Sequence, residues 1–283
     1  MTARVVISVD VDGPWGLACR PVAGGWNARL TSRSEAAYGL GRGLDRLLEV
    51  LAAHAVRATF FVVGAVAATM PERIRELAAA GHEIAHHGYS HRATHTVGAV
   101  AQRDEIERGI GALGECLGVA PAGYRSPAWE LTPVTLDLLA EYGFAYDSSL
   151  MADDRPYLLD TGLVEVPVHW SLDDVPYLAF HAEAPARPGG LAAAREIWLA
   201  AHADAVAEQR PVVYTVHPEH TGRAPHHRLL SDLLERVAQG GTPTSTAASL
   251  AAAYAARCGR ATAYSKTSEP PTARAEAPAI PVT

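Results

Sequence analysis

His82-Glu-Ile-Ala-His-His-Gly-Tyr-Ser-His91 decides how the rest of this 283-residue chain is read. A short run fit for a strand ends at His86, His87 follows at once, and His91 lies four residues further on. Imidazole nitrogens suit zinc and similar borderline cations, and an open catalytic site takes three protein ligands and leaves a position for water. The two histidines therefore read as two of three metal ligands, and the third is expected elsewhere. Val5-Val-Ile-Ser-Val-Asp-Val-Asp12 offers it, as an apolar strand ending in two carboxylates one residue apart. Strand alternation puts Asp10 and Asp12 on one face, so one can bind the ion while the other takes a proton from the attacking water. His86 would point to the opposite face and is excluded as a ligand. His82 reads as structural.

Outward from this stretch, short apolar runs alternate with helical patterns. Strands are expected over residues 5–12, 58–63, 82–86, 123–127, 144–148, 164–170 and 212–218, with Pro167 marking an edge or a bulge. Helices are expected over about residues 39–55, 71–81, 97–117, 132–142 and 191–208, with a last pair around residues 242–246. Residues 13–34, rich in Gly and Pro and holding Trp15, Cys19 and Trp26, read as a loop following the first strand. Strands separated by helices imply parallel pairing with right-handed crossovers. The expected fold class is α/β, a distorted or incomplete (β/α) barrel with six or seven parallel strands, in a single domain over residues 1–262. Residues 263–283, with Pro270, Pro271, Pro278 and Pro281 among Ala, Thr and Glu, read as a flexible tail.

A net charge of −7 and the lack of any basic run argue against nucleic acid or an anionic membrane as partner. A neutral or cationic small molecule fits better. No apolar run reaches membrane-spanning length and the chain enters a strand at once, so a cytoplasmic protein is expected. Cys19, Cys116 and Cys258 show no metal spacing and cannot all pair with one another, and they read as incidental thiols.

Asp12, His87, Arg125, Asp147 and His217 all fall at the C-terminal ends of expected strands, and a parallel barrel gathers such residues on one rim. Asp147 reads as the cap of the turn after it. Trp129 and Trp170 read equally well as core aromatics and as walls for a flat ring. His220, His226 and His227 read as solvated loop residues.

Together, Asp10-Val-Asp-Gly-Pro14, His87-Gly-Tyr-Ser-His91, Arg125-Ser-Pro-Ala-Trp129, Leu172-Asp-Asp174 and Val216-His-Pro218 resemble, in order, the motifs of the polysaccharide deacetylase family, carbohydrate esterase family four. The resemblance implies one divalent ion on Asp12, His87 and His91: zinc first, with manganese, cobalt or nickel as alternatives. It implies Asp10 as general base, His217 as the acid that protonates the leaving nitrogen, and Arg125 as the group that holds the catalytic carboxylate. Asp173 or Asp174 would orient His217, with Asp174 taken as the candidate. Trp15, Tyr89, Trp129 and Trp170 are the candidate substrate contacts.

One departure stands out. Polysaccharide-active members carry adjacent aspartates in the first motif, whereas Val11 separates Asp10 from Asp12 here. That form, with Trp15 and Tyr146-Asp-Ser-Ser-Leu-Met151, resembles a branch of cyclic imide hydrolases, allantoinase-like enzymes and peptidoglycan deacetylase-like proteins that tend to form rings of subunits. The expected function is therefore metal-dependent hydrolysis of a non-peptide C–N bond in a small cyclic imide, ureide or related amide. The alternative is N-deacetylation of an amino sugar, peptidoglycan fragment or other N-acyl substrate. A non-catalytic metal-binding module is the third reading, and Asp10 and His217 argue against it. A homo-oligomer, with a tetramer as the example, is expected from the resemblance alone.

Overall fold

Val5, Val6, Ile7, Val9 and Val11 leave no polar face for solvent, and β1 (Arg4–Val11) accordingly lies buried in the middle of the sheet. The structure is a computed structural model and describes residues 2–19, 30–179 and 190–258. Trp26, the side chain of Cys19 and the expected tail lie outside the described residues. The remaining strands are β2 (Thr59–Val62), β3 (Glu83–His86), β4 (Gly123–Tyr124), β5 (Tyr146–Asp147), β6 (Tyr157–Leu158), β7 (Val164–Glu165), β8 (Pro211–Val216) and β9 (Thr244–Ser245).

The sheet order is β6-β7-β5-β4-β3-β2-β1-β8, and β9 also pairs with β1. Every described ladder is parallel except β6 on β7. A single parallel bridge, Asp173 to Thr215, links the segment after β7 to β8. The sheet thus curls on itself through one bridge instead of a full ladder, which is the incomplete barrel expected from the sequence.

The helices are α1 (Leu30–Tyr38), α2 (Leu44–Ala53), α3 (Gly64–Thr69), α4 (Pro71–Ala79), α5 (Ala99–Leu117), α6 (Pro133–Glu141), α7 (Val175–Leu178), α8 (Gly190–Ala207), α9 (Arg228–Gln239) and α10 (Ala247–Arg257). Their ends follow the punctuation in the sequence. Pro71 opens α4, the Thr132 hydroxyl accepts from the backbone N–H of Thr135 to start α6, and Gly118 closes α5 with φ of 74°. Helix α9 buries Leu229, Leu230, Leu233, Leu234 and Val237 along one stripe. No described helix is long and apolar enough to cross a membrane.

Several expectations are corrected. Residues 13–34 are not simply a loop: Gly13–Cys19 is a 3-10 helix and α1 begins at Leu30. The helix expected from Gly39 starts as a π turn over Gly39–Gly43, with Gly41 outside helical geometry, and turns regular only at Leu44. Three glycines in five residues carry too little helix propensity for a regular start. Strands β6 and β9 span two residues each, too short to leave a period. Pro167 marks no edge, because the paired part of β7 ends before it and lies between β5 and β6.

Candidate metal-binding active site

The histidine stretch is fixed from behind. His86 points away from the rim, as alternation requires, and its Nε2 and Nδ1 make hydrogen bonds at 3.1 Å to the Ile106 carbonyl and 2.9 Å to the Gly88 N–H. Burial depresses its pKa to about 3, so the ring is neutral and can bridge the two. A Cβ on Gly109 would sit 2.0 Å from that ring, and only glycine lets α5 approach β3 so closely. Glu105, also on α5, accepts from the N–H groups of Tyr89 and Ser90 at 3.0 and 2.7 Å and from the Ser90 hydroxyl at 2.5 Å. It holds the loop between His87 and His91 in shape. The sequence reading missed Glu105; the signal was a carboxylate among Gln102, Ile106, Gly109 and Leu113, the buried positions of α5.

On the rim, Asp12, His87 and His91 each offer a ligand atom within 4.8 Å of the others, and all three are buried. His87 Nε2 lies 3.4 Å from Asp12 Oδ1, and His91 Nε2 lies 3.3 Å from Asp12 Oδ2. Asp12 Oδ1 is buried with no hydrogen-bond partner. Atoms this close to one another can share a single ion. His87 Nδ1 is occupied by the Arg125 carbonyl at 2.8 Å, which leaves Nε2 for that ion. His91 turns its ring back to Asp12 through a left-handed backbone, φ 56°. One carboxylate and two imidazoles, partly unsatisfied and convergent, fit a divalent cation.

Two hydrogen-bonded pairs flank this group. Arg125, fully buried, donates to Asp10 Oδ1 at 2.6 Å, to the Ser8 hydroxyl at 2.9 Å, and to the Ser148 carbonyl and hydroxyl at 2.9 Å each. Its guanidinium carbon sits 4.0 Å from the centre of the Phe61 ring. With Oδ1 engaged, Asp10 presents Oδ2 to the site, 3.7 Å from His87 Nε2 and 4.0 Å from His217 Nε2. The second pair is His217 Nδ1 with Asp174 Oδ1 at 2.7 Å. The other oxygen of Asp174 accepts from the backbone N–H groups of His217 and Thr221 and from the Thr221 hydroxyl.

The electrostatics follow from this wiring. Burial opposes a charge on His217, yet Asp174 and Asp173 outweigh it and raise its pKa well above the ordinary histidine value. Burial likewise works against the Asp12 charge, and His91 and His87 more than offset it, holding that carboxyl far below the usual range. Asp173 bonds the Val175 N–H at 2.6 Å instead of His217, and burial pushes it up to about 7 against the pull of His217. Of the two adjacent aspartates, Asp174 is therefore the one in hydrogen-bond contact with His217. Asp173, Asp174 and His217 also lie close enough to suggest a cation. Both oxygens of Asp174 and Nδ1 of His217 are already engaged in hydrogen bonds there.

The aromatic candidates separate. Trp129 points its indole N–H at Asp10 Oδ2, 3.5 Å away, and stacks on Trp170 with ring centres 4.5 Å apart. Consecutive left-handed residues, Ala128 and Trp129 at φ 58° and 57°, bring that ring in. Trp170 is 42% exposed. Trp15, whose N–H bonds the Asp12 carbonyl, packs on the main core. Tyr89 packs there too, lying beside Gly64 and beneath the Arg108 guanidinium, so its ring braces α3 against α5. None of Trp15, Tyr89, Trp129 and Trp170 is among the residues that line the cleft beside Asp12 and His217; Trp129 reaches the site through Asp10.

That cleft, open to solvent, is lined by Asp12, Gly13, Gly16, Ser32, Glu35, Ala36, Val175, His217, Glu219 and His220. Of the loop histidines expected to be solvated, His220 is not, and His226 and His227 are half-buried. His220 is buried with Nδ1 4.0 Å from Glu35, His226 Nδ1 makes a hydrogen bond to the His220 carbonyl, and His227 Nδ1 is buried. The backbone after His217 coils into a turn, Thr221 N–H to His217 carbonyl at 3.0 Å, which folds the segment inward. Asp147 does serve its turn, accepting from the Ser149 N–H at 3.1 Å and the Ser149 hydroxyl at 2.9 Å. His82 accepts from the Ala58 N–H, a structural role as expected.

A family model described as polysaccharide deacetylase matches residues 38–146. A crystal structure from Mycobacterium smegmatis assigned to the polysaccharide deacetylases is 36% identical, covers 95% of each chain and superposes with a TM-score of 0.85. The chain belongs to the polysaccharide deacetylase family. A peptidoglycan deacetylase of Helicobacter pylori is 32% identical over 170 residues, 50% of this chain and 58% of that protein. The chain thus spans less than two thirds of that relative's length. An allantoinase structure, 21% identical over 90% of each chain with a TM-score of 0.76, shares the fold.

Proposed function

We propose that the chain is a metal-dependent N-deacetylase of an N-acylated amino sugar. The observation that carries this reading is the pair of wired groups, Asp10 with Arg125 and His217 with Asp174, flanking Asp12, His87 and His91. Family membership and the peptidoglycan deacetylase relative support this reading over the imide hydrolase expected first from Val11.

Asp12, His87 and His91 would hold the ion, with zinc the first choice for this donor set. When bound, such an ion polarises a carbonyl and lowers the pKa of water. Asp10, fixed through Oδ1, takes the proton of the attacking water on Oδ2. His217 enters the reaction protonated, because Asp174 and Asp173 raise its pKa, and gives its Nε2 proton to the leaving nitrogen. Asp174 is a positioning residue that keeps the His217 Nδ1 proton pointed inward.

A second reading, hydrolysis of a small cyclic imide or ureide, draws on one observation. Gly13, Gly16 and Ser32, from the segment that would cap a small-molecule pocket, line the cleft. The test is a hydrolysis panel on zinc-reconstituted protein, with N-acetylglucosamine oligomers set against succinimide, dihydrouracil and allantoin. Acetate release and ring opening are scored separately. Acetate from the oligomers is the expected result, and ring opening without acetate would replace it with the second reading.

A further inference from the structure

The cleft contains a carboxylate that the chemistry above does not use. Glu219 is only 9% exposed and lines the cleft beside Asp12 and His217. Every other buried carboxylate at this end has hydrogen-bond donors: Asp10 has Arg125, Asp174 has Thr221 and His217, Glu105 has Ser90, and Glu165 has Ser149. The exception is Asp12, whose atoms face the metal position. The Glu219 carboxyl receives no hydrogen bond from any other described residue. It lies against the Gly39 backbone, where an added Cβ would meet Oε2 at 3.0 Å. Apart from its own backbone N–H the carboxyl has no donor among the described residues, so most of its hydrogen-bonding capacity is left for something that binds in the cleft.

We infer that Glu219 is a specificity-determining residue that reads a hydroxyl group on the substrate next to the scissile amide. This rests on the deacetylase reading and narrows its substrate class to N-acyl compounds carrying a neighbouring hydroxyl. A carboxyl group bonds a hydroxyl in either protonation state, accepting from its O–H or donating to its oxygen. Among the described residues, no lysine or arginine lines the cleft beside Glu219. An apolar ring in the same place would leave the carboxyl buried with no further partner. Sites built to bond a hydroxyl reject analogues that lack it for that reason.

The test uses two compounds with one ring size: N-acetylglucosamine, and N-acetylcyclohexylamine, which has no hydroxyls. Zinc-loaded wild type, Glu219→Leu and Glu219→Gln are compared by kcat/KM and, independently of turnover, by calorimetric binding. The expected result is a wild-type preference for the sugar that Glu219→Leu lowers by about 100-fold, mainly through KM, and that Glu219→Gln largely retains. An equal loss on both compounds in Glu219→Leu, or a preference unchanged by it, would overturn the inference. No acetate from either compound, with a binding preference that still depends on residue 219, would overturn the deacetylase reading and leave the hydroxyl contact standing.

Discussion

The two ends of the same parallel strands carry polar clusters of opposite kinds. At the N-terminal end, Glu83 of β3 accepts from the Thr59 hydroxyl at 2.7 Å, the Tyr146 hydroxyl at 2.6 Å and the Ala248 N–H at 3.0 Å. Thr59 in turn accepts from the Ala247 N–H at 2.8 Å. Together they cap the start of α10, where a carboxylate also suits the helix dipole, while Ala247, Leu250 and Ala251 pack on Val6, Phe61 and Val213. Each of these groups has its partner within the chain. At the C-terminal end, among the described residues, Asp12 Oδ1 has none, and the Glu219 carboxyl has only its own backbone N–H. One end spends its polar groups on closing the barrel, and the other leaves them for a ligand. That contrast is what singles out the C-terminal rim as a site.

The sharpest way to break the comparison is at the rim. Asp10→Asn should lower kcat by at least about 1,000-fold while bound zinc, measured by elemental analysis, stays at the wild-type level. Loss of the metal would mean that the roles of Asp10 and Asp12 are interchanged. At the closed end, Glu83→Ala should cost about 2–3 kcal/mol in urea unfolding, because it strips partners from Thr59, Tyr146 and Ala248. The kcat of the folded fraction should not change. A selective fall in kcat would erase the division of labour between the ends.

The smallest effect sharpens the rule that buried acids here need partners. Asp147 and Glu165 share a hydrogen bond in the core, and Glu165 Oε2 has no other partner. Burial and the Asp147 charge raise the Glu165 pKa well above the ordinary value. Unfolded glutamate ionises near pH 4.3, whereas the folded chain keeps the proton to higher pH. The stabilisation is therefore complete below that value and is lost as pH rises toward the folded pKa. Glu165→Gln removes this loss and should raise Tm by about 2–4 °C at pH 8, with little gain at pH 4. Equal shifts at both pH values would show that the pair does not share a proton.

Much of this architecture was legible from residues. Seven expected strands became β1, β2, β3, β4, β5, β7 and β8, most plainly β1, β2 and β8, where continuous burial demands mostly apolar side chains. His87, His91, Asp12 and Asp10 stood out because catalytic residue types sat at strand ends with fitting spacing. The short strands, the 3-10 helix at Gly13–Cys19 and the inward fold of His220 did not, because they arise from contacts between distant segments instead of local periodicity.

The sequence by itself determined the alternation of strand and helix, the placement of the polar rim and the family resemblance, all of which are local in the chain. Tertiary structure alone decided which aspartate bonds His217, since Asp173 and Asp174 are adjacent and it is donors from His217 and Thr221, distant in sequence, that engage Asp174. It also decided that Tyr89 braces helices, that Glu105 holds the histidine loop, and that Glu219 is buried in the cleft with no donor from another described residue. Partnership between side chains 16 to 115 residues apart is set by how the sheet curls, and no window of sequence contains it.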